Sequence, residues 1–274
     1  MPSGGLRPSR HRSPDGRSLW LTSNAIPQME GYDSTLAGRA ELVQVGLADG
    51  RVVARVPVGG ERGGAMLGDL VLANDGTIYA SDTQGQAIWR VLPGAGGAEL
   101  LATHPLLRSP QGMVQTVDGA GLLVADYSHG LLRIDHTTGS VGPLDVPAGM
   151  TLLGIDGLAR HGDDLIAIQN GGVIPRVIRI RLDPAERRVL AFEVLDRNTA
   201  AADEPTLGAV VGDDFFYVAN SQWEKRGEDG ATLPGAVLTP TIILRLPLGP
   251  GRSQRRYGRT RISSNSARAL GSFD

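Results

Sequence analysis

LGDLVLANDGTIYASDTQGQAIWRVLPGAGGAELLAT (residues 67–103) decides the fold. It reads as four short strands: LGDLVLA (67–73), TIYASD (77–82), AIWRV (87–91) and AELLAT (98–103). Asn74-Asp75-Gly76 joins the first two as a tight hairpin turn, where glycine accepts a positive φ. The same order recurs on both sides. PQGMVQT (110–116), LLVAD (122–126), LLRID (131–135) and VGPLDV (141–146) repeat it. GIDGLAR (154–160), DLIAIQN (164–170), RVIRIRLD (176–183) and RVLAFEVLD (188–196) repeat it again. EPTLGAVV (204–211), FFYVAN (215–220) and TIILRLPL (241–248) form a later repeat. RSLWLTSN (17–24), AELVQV (40–45) and VVARVPV (52–58) form an earlier one. The second strands end on Asn24, Asp82, Asp126, Asn170 and Asn220, spaced by 58, 44, 44 and 50 positions. Short strands at that period predict an all-β fold, a β-propeller with one four-stranded antiparallel blade per repeat. No segment sustains a helical period.

The ends fit the pattern less well. The earliest repeat should find its first strand within residues 5–14, where Pro8 and Pro14 stand and little is apolar. Beyond residue 250 nothing alternates, so the last repeat has no recognisable fourth strand. About five blades and eighteen strands are legible. Two readings stand: a chain shorter than the complete domain, open to self-association through bare blade edges, or a five-bladed ring closed by unrecognised strands.

Composition narrows the function classes. At 274 residues the chain can bury about 70–75% of its unfolded surface as one domain. It has no cysteine, which excludes disulfides and thiolate metal sites. No apolar run reaches 18 residues, and the first 18 lack the apolar segment of a secretory signal, so no membrane partner is expected and the compartment stays open. Residues 1–18 carry +3 and residues 249–274 carry +5; removing both from the net −2 leaves the repeats at −10. The basic stretches 1–17 and 249–274 are expected to be disordered tails around a propeller at 18–248. An acidic body with few aromatics beside the arginines argues against nucleic acid and suits a cation.

Alternating strand directions place the second-strand ends and the first-strand starts on one face. Both long insertions, 25–39 and 221–240, open there as well, and long loops on one rim carry binding sites. That face is expected to take a small-molecule ligand. Aligning the repeats puts Gly68, Gln111, Asp156 and Thr206 in equivalent positions at the mouth of the axis, with Asp69 and Glu204 close by. Oxygen donors of this kind suit a hard divalent cation such as Ca²⁺. Asp156 has a second reading, as a turn residue before Gly157. Asn24, Asn170 and Asn220 are candidates for substrate contacts, or else cap strands through Asx-turns. Trp223 and Tyr32, in the two long loops, either line a pocket or pack the loops down. Among the histidines, His129 lies in a loop on this face and is the best candidate proton carrier. No serine sits in a GxSxG elbow, and no phosphate loop is present.

LGDLVLANDGTIYASD (67–82), SPQGMVQTVDGAGLLVADYSHGLLRID (109–135) and LLGIDGLARHGDDLIAIQN (152–170) resemble the six-bladed propellers of the senescence-marker-protein/gluconolactonase superfamily, neighbours of the NHL-repeat proteins. The resemblance covers residues 15–248. It implies a metal-dependent hydrolase of lactones or similar esters, with Ca²⁺ or Zn²⁺ on the axis; the rival class is a non-catalytic binding propeller. Asp156, in IDGL, inherits the role of the metal-binding Asp, and Gln111, in PQGM, stands where the family has Asn. The resemblance leaves the family's Glu to sequence upstream of residue 1, with Glu204 near the axis.

Overall fold

A computed structural model describes residues 10–13, 15–29, 31–60 and 64–251. Five antiparallel sheets follow one another along the chain. Blade 1 holds β1 (Arg10–Arg12), β2 (Ser18–Asn24), β3 (Ala40–Gly46) and β4 (Val52–Val58). Blade 2 holds β5 (Leu67–Leu72), β6 (Ile78–Asp82), β7 (Ala87–Val91) and β8 (Glu99–Thr103). Blade 3 holds β9 (Pro110–Gln115), β10 (Gly121–Asp126), β11 (Gly130–Asp135) and β12 (Val141–Pro143). Blade 4 holds β13 (Ile155–His161), β14 (Asp164–Gln169), β15 (Arg176–Leu182) and β16 (Val189–Arg197). Blade 5 has three strands among the described residues: β17 (Gly208–Val211), β18 (Asp214–Val218) and β19 (Ile243–Pro247). The fold is a β-propeller. Helical structure among these residues amounts to short 3-10 turns such as Ser34–Leu36 and Trp223–Lys225.

β1 corrects the expectation of a first blade without its inner strand. Arg10, His11 and Arg12 pair with Leu21, Trp20 and Leu19. Ladder hydrogen bonds come from the main chain, so a three-residue strand forms without apolar side chains, and both prolines fall outside it in sequence. The basic tails expected at 1–17 and 249–274 lie largely outside the described residues.

Packing explains why the second strands read as unbroken apolar runs. β10 and β14 are buried along their whole length because each lies between two other blades. Leu122 and Val124 join Val71, Tyr79 and Ile88 between blades 2 and 3. Leu123 and Ala125, on the opposite face, join Leu158, Leu165 and Ile178 between blades 3 and 4. Comparable clusters centre on Leu42, Leu70 and Trp89 between blades 1 and 2, and on Ile168, Phe215 and Tyr217 between blades 4 and 5. Each such aliphatic side chain contributes about 1.5–3 kcal/mol when fully buried. Blades 5 and 1 meet through their long loops instead, where Gln28 Nε2 donates to the Gly227 carbonyl at 3.1 Å.

Arginines of the third strands add links between blades. Arg90 Nη1 donates to the His136 carbonyl at 3.4 Å, and Arg179 Nη2 to the Leu248 carbonyl at 2.7 Å.

Candidate functional site

The inner strands β5, β9 and β13 are each bulged at their starts. Gly68 and Asp69 face one residue of β6, Gln111 and Gly112 one residue of β10, and Asp156 is an extra residue against β14. A bulge turns its side chains out of the regular alternation. Here it sends Asp69, Gln111 and Asp156 to the axis. Gly112 and Gly157, which follow Gln111 and Asp156, stand where the neighbouring blade comes too close for a side chain. A Cβ on Gly112 would lie 2.5 Å from the Leu158 nitrogen, and one on Gly157 2.9 Å from the Thr206 carbonyl oxygen.

The bulged acids bind the next blade. Asp69 accepts hydrogen bonds from the Leu70 N–H at 2.8 Å and from the Met113 N–H at 2.9 Å, across the junction of blades 2 and 3. Burial, aided by the charge of Asp156, pushes the Asp69 carboxyl up to about 7 despite those two bonds. Asp156, 3% exposed, accepts through Oδ2 from Asn170 Nδ2 at 2.9 Å and from Thr206 Oγ1 at 2.6 Å. Asn170 Nδ2 also donates to the Pro205 carbonyl, and Asn170 Oδ1 accepts from the Tyr127 hydroxyl at 3.1 Å. Blades 3, 4 and 5 are thereby tied at one point.

Above these groups lies a cleft of 510 Å³ whose wall includes Ser109, Gln111, Tyr127, Asp156, Asn170 and Glu204. Gln111 and Asp156 also line an adjoining cavity of 220 Å³, with Ile26, Met66, Leu207 and Trp223. The structure therefore brings Gln111, Asp156, Asn170, Glu204 and Trp223 together around the mouth of the axis. Glu204 Oε2 accepts from the Trp223 N–H at 2.6 Å, which pins the 221–240 loop against blade 5.

The remaining sequence candidates stand elsewhere or hold the fold. Asn24 lines the smaller cavity, but its amide pairs with the Leu67 backbone in both directions, at 2.9 and 2.8 Å, as an extra ladder rung. Asn220 is spent on its own blade, bonding Thr239, the Pro240 carbonyl and the Ile242 N–H. His129 lines neither cavity; its Nδ1 is 3.1 Å from Asp126 Oδ1 and its N–H donates to the same oxygen. Tyr32 is half-buried in the first long loop and lines neither cavity. Tyr127 and Ser109 escaped the sequence reading, although both stand in the repeat that it aligned.

The donor set does not fit a resident divalent cation. Calcium takes six to eight oxygens, usually several from carboxylates, and zinc prefers His and Cys. Among the described residues no three His, Cys, Asp or Glu side chains form such a group.

No protein-family model matches the sequence, and no curated protein matches it. Solved structures do match in fold. The PQQ-bound form of an aldose sugar dehydrogenase from Streptomyces coelicolor is 15% identical over 90% of this chain and 81% of its own, with a TM-score of 0.56. Hydrazine synthase of Kuenenia stuttgartiensis is 15% identical over 89% of this chain and 67% of its own, at 0.53. At such identities the likeness is one of fold: the chain belongs among the β-propellers, a scaffold that hosts many chemistries.

Proposed function

We propose that the loop-rich face of this propeller binds a small polar molecule in the cleft at the mouth of the axis. One observation carries the reading: polar side chains from three blades, Gln111, Tyr127, Asp156, Asn170 and Glu204, converge on one cavity of 510 Å³. Small-molecule sites are concave, about 300–1,000 Å³, and orient their ligand through a few such groups. Buried hydrogen bonds to Asp156 and Asn170 pre-set those groups, so little ordering cost is left for the binding step.

A second reading is hydrolysis of a lactone or related ester. It rests on the resemblance noted above and on the presence of Asp156 in the cleft. No step is routed through a cation, because the donor set does not fit one. In this reading the Asp156 carboxylate takes a proton from water as its oxygen adds to the substrate carbonyl. The tetrahedral intermediate then collapses with cleavage of the ring C–O bond, the proton on Asp156 passes to the departing alkoxide oxygen, and Gln111 and Tyr127 orient the ring oxygens.

Calorimetric titration with glucono-1,5-lactone, glucose and 2-phenylethylamine tests both readings on the parent protein, Gln111→Ala and Tyr127→Phe. The binding reading expects saturable heat from at least one probe, weakened about tenfold or more in Gln111→Ala. No saturable heat from any probe would overturn it. Acid release from the lactone, followed in a pH-stat with and without calcium or zinc chloride, reports hydrolysis. Turnover by the parent and its loss in Asp156→Asn support the hydrolytic reading, and no turnover removes it. Turnover that requires calcium would overturn the conclusion that the donors do not hold a cation.

A further inference from the structure

The two cavities at the axis differ in chemistry and share a wall. The larger is lined by four carboxylates, Asp156, Asp203, Glu204 and Glu224, and by no lysine, arginine or histidine. Lys225 Nζ lies 3.5 Å from Asp203 Oδ2. One ammonium does not balance four acids. The smaller cavity is mainly apolar, with Ile26, Met66, Leu67, Leu207 and Trp223, and joins the larger at Gln111 and Asp156. Val173, fully exposed, and Pro175 add an apolar lip to the acidic side. The Glu204 bond to the Trp223 N–H fixes the aromatic ring's loop to the acidic wall, so both halves are held at one spacing.

A ligand that matches both halves carries a positive charge at one end and an apolar body at the other. Asp156 is buried and Glu204 half-buried, while Asp203 and Glu224 stand at the exposed rim; together they attract an ammonium and repel an anion, most strongly beside Asp156, where water screens least. A tryptophan face accommodates either a ring or the methylenes beside a cation. We propose that the joined cavities bind an amphiphilic primary amine, with its ammonium among Asp156, Glu204 and Glu224 and its hydrocarbon part on Trp223, Met66 and Leu207. This inference rests on the cleft being a binding site and names the class of ligand it takes.

Three probes of similar shape isolate the charge: 2-phenylethylamine, its neutral isostere 2-phenylethanol, and the anion 3-phenylpropionate. Titration calorimetry at pH 7 with the full chain should show the amine bound at least about tenfold more tightly than the alcohol, with no heat from the anion. Added salt should weaken the amine alone. Glu224→Gln should lower amine affinity about two- to fivefold and leave alcohol binding unchanged. Trp223→Leu should weaken amine and alcohol together. Circular dichroism melts confirm that each variant is folded. Equal affinity for amine and alcohol would overturn the inference while leaving the cleft as a binding site. Binding of glucono-1,5-lactone or glucose without the amine would do the same. No binding by any of these molecules would overturn the binding-site reading as well.

Discussion

Gly112 stands where the backbones of blades 3 and 4 approach closely. The Cβ of Gly112→Ala would meet the Leu158 nitrogen at 2.5 Å, and that nitrogen belongs to a ladder that cannot move alone. Overpacking of this kind costs about 1–3 kcal/mol, so the variant should melt several degrees below the parent in a calorimetric scan. An unchanged melting temperature would show that the two strands part easily. Asp69 gives a prediction in pH. Its carboxyl is raised to about 7 by burial, above the ordinary value of 3.8. Between those values the folded chain keeps a proton that the unfolded chain has released. Its stabilising contribution is therefore greatest below about pH 4 and is lost as pH rises towards 7. Thermal melts of the parent and of Asp69→Asn from pH 4 to 8 should diverge in that window, with the parent losing ground as pH rises. Parallel curves would contradict the assignment.

Loops and strand ends carry the next scale. The 221–240 loop is closed by a side-chain imitation of a β-bridge: Gln222 Nε2 donates to the Thr239 carbonyl at 2.9 Å, and Gln222 Oε1 accepts the Thr239 N–H at 2.8 Å. Gln222→Ala removes both bonds while leaving the blades intact. Trypsin should then cut after Lys225 or Arg226 several times faster than in the parent, as followed by mass spectrometry. These features differ in how far they were legible. The turns and strands of blades 2, 3 and 4 could be read because each hairpin joins neighbours in sequence, with Asn74-Asp75-Gly76, Asp118-Gly119 and Gly162-Asp163 marking the joins. β1 could not, since its three residues contribute main-chain bonds and no apolar signal. Asn24, Asn170 and Asn220 look alike at the ends of matching strands, yet only Asn170 both faces the larger cleft and bonds an acid of the axis. Their sequence equivalence reports a shared capping position. What each amide meets depends on loops of different length.

At the scale of the whole molecule, protection is uneven. Apolar clusters fill the four junctions from blade 1 to blade 5, whereas between blades 5 and 1 the 25–39 and 221–240 loops are joined by a hydrogen bond from Gln28 to Gly227. β10 and β14 are covered on both faces; β19 alternates between exposed and half-buried residues. Hydrogen exchange followed by mass spectrometry should therefore be slowest in blades 3 and 4 and fastest in β17–β19. Equal protection across all five blades would mean that the loop junction is as strong as the packed ones.

By itself the sequence determined the blades: their number of about five, their strands other than β1, and the face that carries the long loops, with Gln111 and Asp156 in matching positions of the repeats. Each of those follows from a pattern repeated every 44 to 58 residues, and a hairpin needs only its own neighbours to form. Tertiary structure alone decided which side chains share a cleft. Tyr127, Asn170 and Glu204 come from three blades, and inter-blade packing and strand bulges bring them together. It also decided that His129 serves Asp126 and stands apart from the cleft. Register within a blade is local, whereas the relation between blades is fixed by apolar contact across sheets, where one repeat carries no mark of which residue of the next it will meet.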